Sequence, residues 1–382
     1  GKSSLLNAIT SEDIAIVSDI RGTTTDPVKK AMELLPFGPV LLVDTPGLDD
    51  GSTLGSIRVQ KSLEYMKYAD LILLVVDAKI GISVEEREFL KEVKKAGKKY
   101  LVIGNKIDTV NEDEINTEEI GIFVSALEKR NIDRLKELMA NLLGEGRQEK
   151  TILADLIKAG DTVLLVTPID ASAPKGRLIL PQQQVIREII DRHAMAVIAQ
   201  PEEIVGVFKK FDGNISLVIC DSQVFNAVSK TVPKNIPLTS FSILFANYKG
   251  DLKTLYGGAK ILSELSDGDR ILISEGCTHR RQCEDIGTVK IPSWVREFAR
   301  KNPEFKGMED LKFEFTSGGD FPKDLKEYKL IIHCGGCMLN PNQMQYRMSY
   351  ANESKIPMTN YGMAIAYMNG ILERAVEPIK IE

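Results

Sequence analysis

Tyr100-Leu101-Val102-Ile103-Gly104-Asn105-Lys106-Ile107-Asp108 is the stretch on which the fold turns. Tyr100 to Ile103 read as a buried strand, bounded by a glycine and a polar loop. The strand delivers Asn105-Lys106-Ile107-Asp108, where a carboxylate can accept two hydrogen bonds, from the guanine N1–H and its exocyclic amine. Adenine does not offer that pair. Such a loop needs a phosphate cradle upstream, and Gly1-Lys2-Ser3-Ser4-Leu5-Leu6-Asn7 supplies the second half of one. In a G-x-x-x-x-G-K-[ST] loop, backbone N–H groups and the helix N-terminus, here from Gly1 to Ser4, hold phosphates. Lys2 reaches the β- and γ-phosphates and Ser3 binds Mg²⁺. The first strand and the early loop residues would precede Gly1.

The remaining parts follow in order. Arg21-Gly22-Thr23-Thr24-Thr25-Asp26 is a polar loop able to close over a γ-phosphate, with Thr24 joining Ser3 on Mg²⁺. Val40 to Val43 reads as a strand ending in Asp44-Thr45-Pro46-Gly47, where Asp44 holds Mg²⁺ through water and the Gly47 N–H senses the γ-phosphate. Leu71 to Val76 is another strand. Ile122 to Val124 leads to Ser125-Ala126-Leu127, whose backbone meets the guanine O6. Each loop follows the C-terminal end of a strand, where parallel α/β sheets bind ligands. The candidate catalytic residues are Lys2, Thr24, Asp44 and Gly47. Nucleotide binding is assigned to Gly1, Lys2, Ser3, Ser4, Thr23, Thr24, Asp44, Asn105, Lys106, Asp108, Ser125 and Ala126.

This third of the chain resembles the translation-factor-related GTPases, and within them the Era/TrmE-like group with its Gly-Thr-Thr loop. Leu48, after Asp-x-x-Gly, stands where other GTPases carry a water-orienting glutamine. The resemblance therefore implies GTP/GDP and Mg²⁺ as ligands and slow intrinsic hydrolysis, aided by K⁺, by dimerisation or by a partner.

A chain of 382 residues is too long for one ordinary core. Its formal charge of -5 and pI ≈ 5.6 argue against a dedicated nucleic-acid binder. No apolar run approaches the length of a membrane span. Five cysteines form no disulfide framework in a chain this long, so a reducing cytoplasm is expected. Residues 1–145 are expected to form the P-loop domain, 151–239 an association module, and 240–382 a third domain. All three read as α/β with mostly parallel sheets. The middle segment alternates strands (Thr162 to Val166, Ala196 to Ala199, Ile215 to Cys220) with helices. It shows no catalytic constellation, so homodimerisation is its expected role, with edge-strand pairing as one route. Cys220 ends an apolar strand and reads as a buried hydrophobe.

The last third carries the remaining cysteines. Phe241 to Ala246 reads as a strand, Leu252 to Leu265 as a helix, and Asp269 to Ser274 as a strand ending in Glu275-Gly276-Cys277-Thr278-His279. Helical patterns follow around Trp294 to Lys301 and Leu325 to Tyr328. The strand Leu330 to Ile332 ends in His333-Cys334-Gly335-Gly336-Cys337. If the two cysteine-bearing strands are neighbours, Cys277, Cys334 and Cys337 share one crevice. Three thiolates and a histidine satisfy tetrahedral zinc, but structural zinc usually staples core-poor modules, and this region is rich in apolar elements. Three thiolates with one variable position suit a 4Fe–4S cluster with an exchangeable fourth iron. The fourth position, or a supporting role beside it, falls to Glu284, His279 or His333. Glu284 is preferred because a carboxylate leaves iron most easily, and Cys283 is an adjacent free thiol.

Cys277-x-His279 and His333-Cys334-x-x-Cys337, joined to an Era/TrmE-like domain, resemble the HydF family of FeFe-hydrogenase maturation GTPases. The resemblance covers the whole chain. It implies GTP-binding, dimerisation and cluster-binding domains, with the three cysteines on three irons. It also implies a scaffold that receives a di-iron precursor from two radical-SAM maturases and passes it to apo FeFe-hydrogenase. The rival reading is an RNA-directed GTPase with a zinc-stabilised tail.

Overall fold

The computed structural model describes residues 1–10, 28–45, 65–67, 69–110, 119–145, 151–153, 155–169, 178–276, 285–301, 310–318, 321–322, 324–337 and 339–379. They belong to two compact units, Gly1–Gln148 and Glu149–Glu382. Among the described residues no helix is long and apolar enough to cross a membrane.

In the first unit, α1 (Lys2–Thr10) precedes an antiparallel hairpin, β1 (Val28–Leu34) and β2 (Gly38–Asp44). Then come β3 (Ile72–Asp77), α2 (Val84–Lys95), β4 (Tyr100–Asn105), β5 (Ile122–Val124) and α3 (Ile132–Gly144), with β3, β4 and β5 parallel in that order. The α2 helix starts where its sequence says it should. The Ser83 side chain accepts from the Glu86 N–H and Glu86 answers from the Ser83 N–H, a capping box. On α3, Ile132, Leu135, Met139 and Ala140 fall at helical spacing and are buried against Leu5 and Ile9 of α1 and Ile103 of β4. The expected strand ends therefore stand where they were read: Asp44 closes β2, Asn105 closes β4, and Ser125 follows β5.

The second unit holds two four-stranded sheets on one shared core. Its elements begin with β6 (Thr162–Val166), α4 (Leu180–Asp191), β7 (Met195–Ala199), α5 (Ile204–Lys210), β8 (Leu217–Cys220), α6 (Phe225–Thr231) and β9 (Leu238–Ser240). They continue with α7 (Phe241–Lys249), α8 (Leu252–Lys260), β10 (Arg270–Ser274), α9 (Ile291–Lys301), β11 (Lys312–Thr316), β12 (Leu330–His333), α10 (Pro341–Glu353), β13 (Met358–Asn360), α11 (Tyr361–Met368) and α12 (Leu372–Val376). The sheet orders are β7-β6-β8-β9 and β11-β10-β12-β13, all parallel. The α/β expectation with mostly parallel sheets holds.

The two sheets are the same design twice. In each, the second strand is at one edge, the first and third are central, and the fourth is at the other edge. The details repeat as well. Gly160 (φ 86) and Gly268 (φ 84) make the turns into β6 and β10. The next residues, Asp161 and Asp269, accept 2.7 Å bonds from the Lys158 and Ser266 N–H groups. Ile236-Pro237-Leu238-Thr239 leads into β9 as Ile356-Pro357-Met358-Thr359 leads into β13. Ser240 caps α7 by accepting from the Ile243 N–H, and Asn360 caps α11 by accepting from the Met363 N–H. In register, Val166 faces Cys220 as Ser274 faces His333. The first copy thus puts Cys220 and Asp221 where the second puts His333 and Cys334. Cys220 is fully buried, as its apolar strand suggested.

Two local readings are corrected. Phe241 to Ala246, expected as a strand, is the first part of α7. The segment is apolar on all sides because Ile243 and Ala246 pack into one core while Phe241, Leu244 and Phe245 pack into another. With no polar face it shows no period to read. Leu325 to Tyr328, expected as helical, is a turn closed by the Tyr328 N–H on the Leu325 carbonyl.

Helices α7 and α11, which follow the last strand of each copy, meet near their N-termini. The Asn360 amide donates to the Ser242 carbonyl at 3.0 Å. A Cβ on Gly362 would come 2.6 Å from that of Ser242, so only glycine allows the approach.

Candidate functional site

In the first unit the nucleotide loops are tied together by one side chain. Asn105, 2% exposed, donates through Nδ2 to the Gly1 carbonyl at 3.3 Å. Its Oδ1 accepts from the Lys106 N–H at 2.8 Å and the Ala126 N–H at 3.0 Å. A single buried amide therefore joins the start of α1, the loop after β4 and the loop after β5. Lys106 takes a left-handed backbone (φ 69), and its ammonium pairs with Asp77 at 2.9 Å. Ser125 is fully buried and accepts from the Glu128 N–H. Ser3 Oγ donates to Asp44 Oδ2 at 2.7 Å, which brings together two groups expected at Mg²⁺. Asp108 Oδ1 is buried with no hydrogen-bond partner among the described residues. A buried carboxylate oxygen without a donor is costly, and a ligand N–H of the kind guanine carries would satisfy it. Thr23, Thr24 and Gly47 lie outside the described residues.

In the second unit the parallel pairing of β10 with β12 sets Ser274 opposite His333. Gly276, the residue before Cys277, donates its N–H to Cys334 Sγ at 3.1 Å. The Gly336 N–H, in a left-handed turn (φ 61), donates to the same sulfur at 3.4 Å. Cys334 and Cys337 are both half-buried. Burial pushes the Cys334 thiol up to about 11, against the pull of those two N–H groups. A thiol so placed is protonated at neutral pH, and coordination by iron is what would release its proton. Backbone N–H donors on the sulfur also suit a cluster ligand. Cys277, His279 and Glu284 lie outside the described residues, as do Cys283, Arg280 and Arg281. Among the described residues no three His, Cys, Asp or Glu side chains form a metal-holding group.

His333 is fully buried and has both ring nitrogens engaged. Arginine only donates, so the 2.9 Å contact from Arg347 Nη1 makes Nε2 an acceptor. Nδ1 then carries the hydrogen and donates to the Cys334 carbonyl at 2.7 Å. Burial and the adjacent Arg347 guanidinium lower its pKa to about 3, so the ring is neutral. In this arrangement His333 has no lone pair for iron and instead braces the backbone of Cys334. Spacing alone did not reveal Arg347, which is buried, donates to Gly318 O and Ser274 Oγ, and lies over the Phe321 ring. Lys249 was also missed. Its ammonium donates to the carbonyls of Gly336, Cys337 and Leu339. The available signal was a lone lysine closing an otherwise apolar helix.

Family comparison fits this layout. The hydrogen maturase F dimerization domain profile matches residues 152–250, and the hydrogen maturase F tetramerization domain profile matches residues 253–378. Together they span more than half the chain. The chain belongs to the hydrogen maturase F family. Residues 1–106 match the 50S ribosome-binding GTPase profile, so this maturase carries a GTPase domain at its N-terminal end. That end is similar to the tRNA modification GTPase MnmE of Desulforamulus reducens, 38% identical over 156 residues, which are 38% of this chain and 33% of that protein. The MnmE of Aquifex aeolicus is 37% identical over 153 residues, covering 39% and 33%. The chain thus spans about a third of the length of the curated relatives it matches. A crystal structure of an Aquifex aeolicus Era variant bound to GDP.AlF4- aligns at 21% identity and TM-score 0.35, over 52% of this chain and 89% of that one.

Proposed function

We propose that this maturase is a GTP-binding and hydrolysing scaffold that holds a 4Fe–4S cluster on Cys277, Cys334 and Cys337. It receives a di-iron precursor from two radical-SAM maturases and delivers it to apo FeFe-hydrogenase in the cytoplasm. The observation that supports the reading is the Gly276 N–H on Cys334 Sγ, which holds Gly276, the neighbour of Cys277 in sequence, against the Cys334 thiol. The bound cluster supplies an iron site with one exchangeable position, for which Glu284 and His279 are the candidates. In the GTPase domain, Asp108 reads guanine, Asn105 holds the loops, Lys2 contacts the phosphates, and Ser3, Thr24 and Asp44 organise Mg²⁺. K⁺ is a candidate activator. GTP acts as a switch on partner affinity, which requires that the GTP and GDP states bind a partner differently.

The test is reconstitution of the full chain with iron and sulfide under anaerobic conditions. The expected product, after reduction, shows the EPR signal of a 4Fe–4S cluster. Protein that stays colourless and binds zinc overturns the reading.

Both maturase profiles are named for self-association, and β7 is the edge suited to it. Met195 is 52% and Ile198 48% exposed on a strand that, among the described residues, is the edge of its sheet. Ile198→Lys is expected to weaken the dimer by about 2 kcal/mol, roughly 30-fold in dissociation constant, if that edge forms its centre. Light scattering across a dilution series measures it, and an unchanged dimer places the interface elsewhere.

A further inference from the structure

The ammonium of Lys249 sits at a junction that neither sequence pattern nor family profile marks. Lys249 is the last residue of α7, which follows directly from β9 of the first sheet. The dimerization profile ends one residue later, and the loop that Lys249 grips lies inside the tetramerization profile. Its Nζ donates to Gly336 O at 2.9 Å, Cys337 O at 3.0 Å and Leu339 O at 2.9 Å. An ammonium has three hydrogens, and all three are used. The side chain is 7% exposed, with Nζ 5.3 Å from the centre of the Phe245 ring.

Two physical consequences follow. Three carbonyls converging on one cation fix the loop from Gly336 to Leu339, and with it the direction of Cys337. A buried cation with only dipoles around it is costly, because desolvation of an ammonium takes several kcal/mol. Thiolates on the same loop would offset that cost once iron has released their protons.

We infer that Lys249 is a positioning residue through which the dimerisation module shapes the cysteine loop, and that its buried charge offsets the thiolates once they hold the cluster. The inference rests on the cluster reading for its second half only. Shaping of the loop stands whether or not iron binds.

The test compares the full-length chain with Lys249→Met, which keeps the aliphatic stem and removes all three donors. In the metal-free protein, hydrogen exchange of the peptide spanning Gly336 to Leu339 is expected to quicken at least ~10-fold, the loss of two or more bonds of about 1 kcal/mol each. Peptides in β6 and β8 should keep wild-type rates. If those also quicken, the variant is unfolded, and Lys249→Gln, which has a shorter reach and one amide donor group, decides instead. In the reconstituted protein, removing a nearby positive charge favours the less negative oxidised cluster, so the midpoint potential should fall in Lys249→Met and recover in Lys249→Arg. Unchanged exchange of the loop in a folded variant overturns the positioning role. A potential that stays level or rises overturns the charge role. If the wild-type protein takes up no iron, the cluster reading fails while the exchange comparison still decides the grip.

Discussion

Asp108→Asn is expected to lower GTP affinity between ~10²- and ~10⁴-fold while creating affinity for xanthosine triphosphate. The wild-type carboxylate has a buried oxygen, Oδ1, with no partner among the described residues, so a bond from it to guanine would form without breaking another described protein contact. Hydrogen bonds to a charged group contribute about 1.5–3 kcal/mol each, and two of them give ~3–6 kcal/mol. Asparagine keeps one acceptor but turns an amide toward the exocyclic amine, donor against donor. Xanthine carries a carbonyl at that position and accepts from the amide. The rest of the site should survive, because Asn105 ties the loops together without help from Asp108. Titration with fluorescent GTP and XTP analogues measures both halves. An Asn variant within about threefold of wild type for GTP would show that the guanine edge is read elsewhere.

Cys334→Ser should reduce bound iron after reconstitution to about a tenth of wild type and abolish the cluster's EPR signal. The serine hydroxyl is shorter than the thiol and far harder to deprotonate, so it replaces neither the reach nor the charge of a thiolate. The effect should exceed that of an ordinary ligand loss, because Cys334 Sγ also accepts the Gly276 and Gly336 N–H groups that fold the loop around it. Cys220→Ser is the internal control. Cys220 holds in the first sheet the place of His333, the residue before Cys334, and points its sulfur at the Thr239 carbonyl, 3.7 Å away. A hydroxyl there can donate to the same carbonyl, so iron content should not change. Equal losses in the two variants would mean that misfolding, not ligation, removes the iron.

Much of the GTPase half was legible because each of its chemical groups sits immediately after an apolar run. Strand and loop identify each other there, as Tyr100 to Asp108 does. The cysteine pair was legible for the same reason. What could not be read depends on contacts made at a distance. Lys249 meets Gly336 across most of a hundred residues, and His333 was open as an iron ligand until Arg347 was placed on its Nε2. The repetition of one sheet design was hidden because its two copies share few residues. Its sequence trace is Gly160-Asp161 against Gly268-Asp269 and Ile236-Pro-x-Thr239 against Ile356-Pro-x-Thr359, residues kept where a turn or a strand entry demands them. The helix α7 was misread because burial of most of Phe241 to Ala246 leaves no polar stripe of the kind that marks a helix.

Those two sheets have one more property, which concerns how copies of the chain add to one another. The edge strands β7 and β11 hold the same place in each copy. The β7 edge exposes Met195 and Ile198, while on β11 Glu314 is bound by Arg270 and by the Tyr328 hydroxyl, and Arg296 covers the ring of Phe313. Two equally adhesive edges on one molecule would let each chain recruit the next without end, giving a fibre. If copies pair through β7, the charged groups on β11 leave no second edge of the same kind, so strand addition by that route would close at a pair.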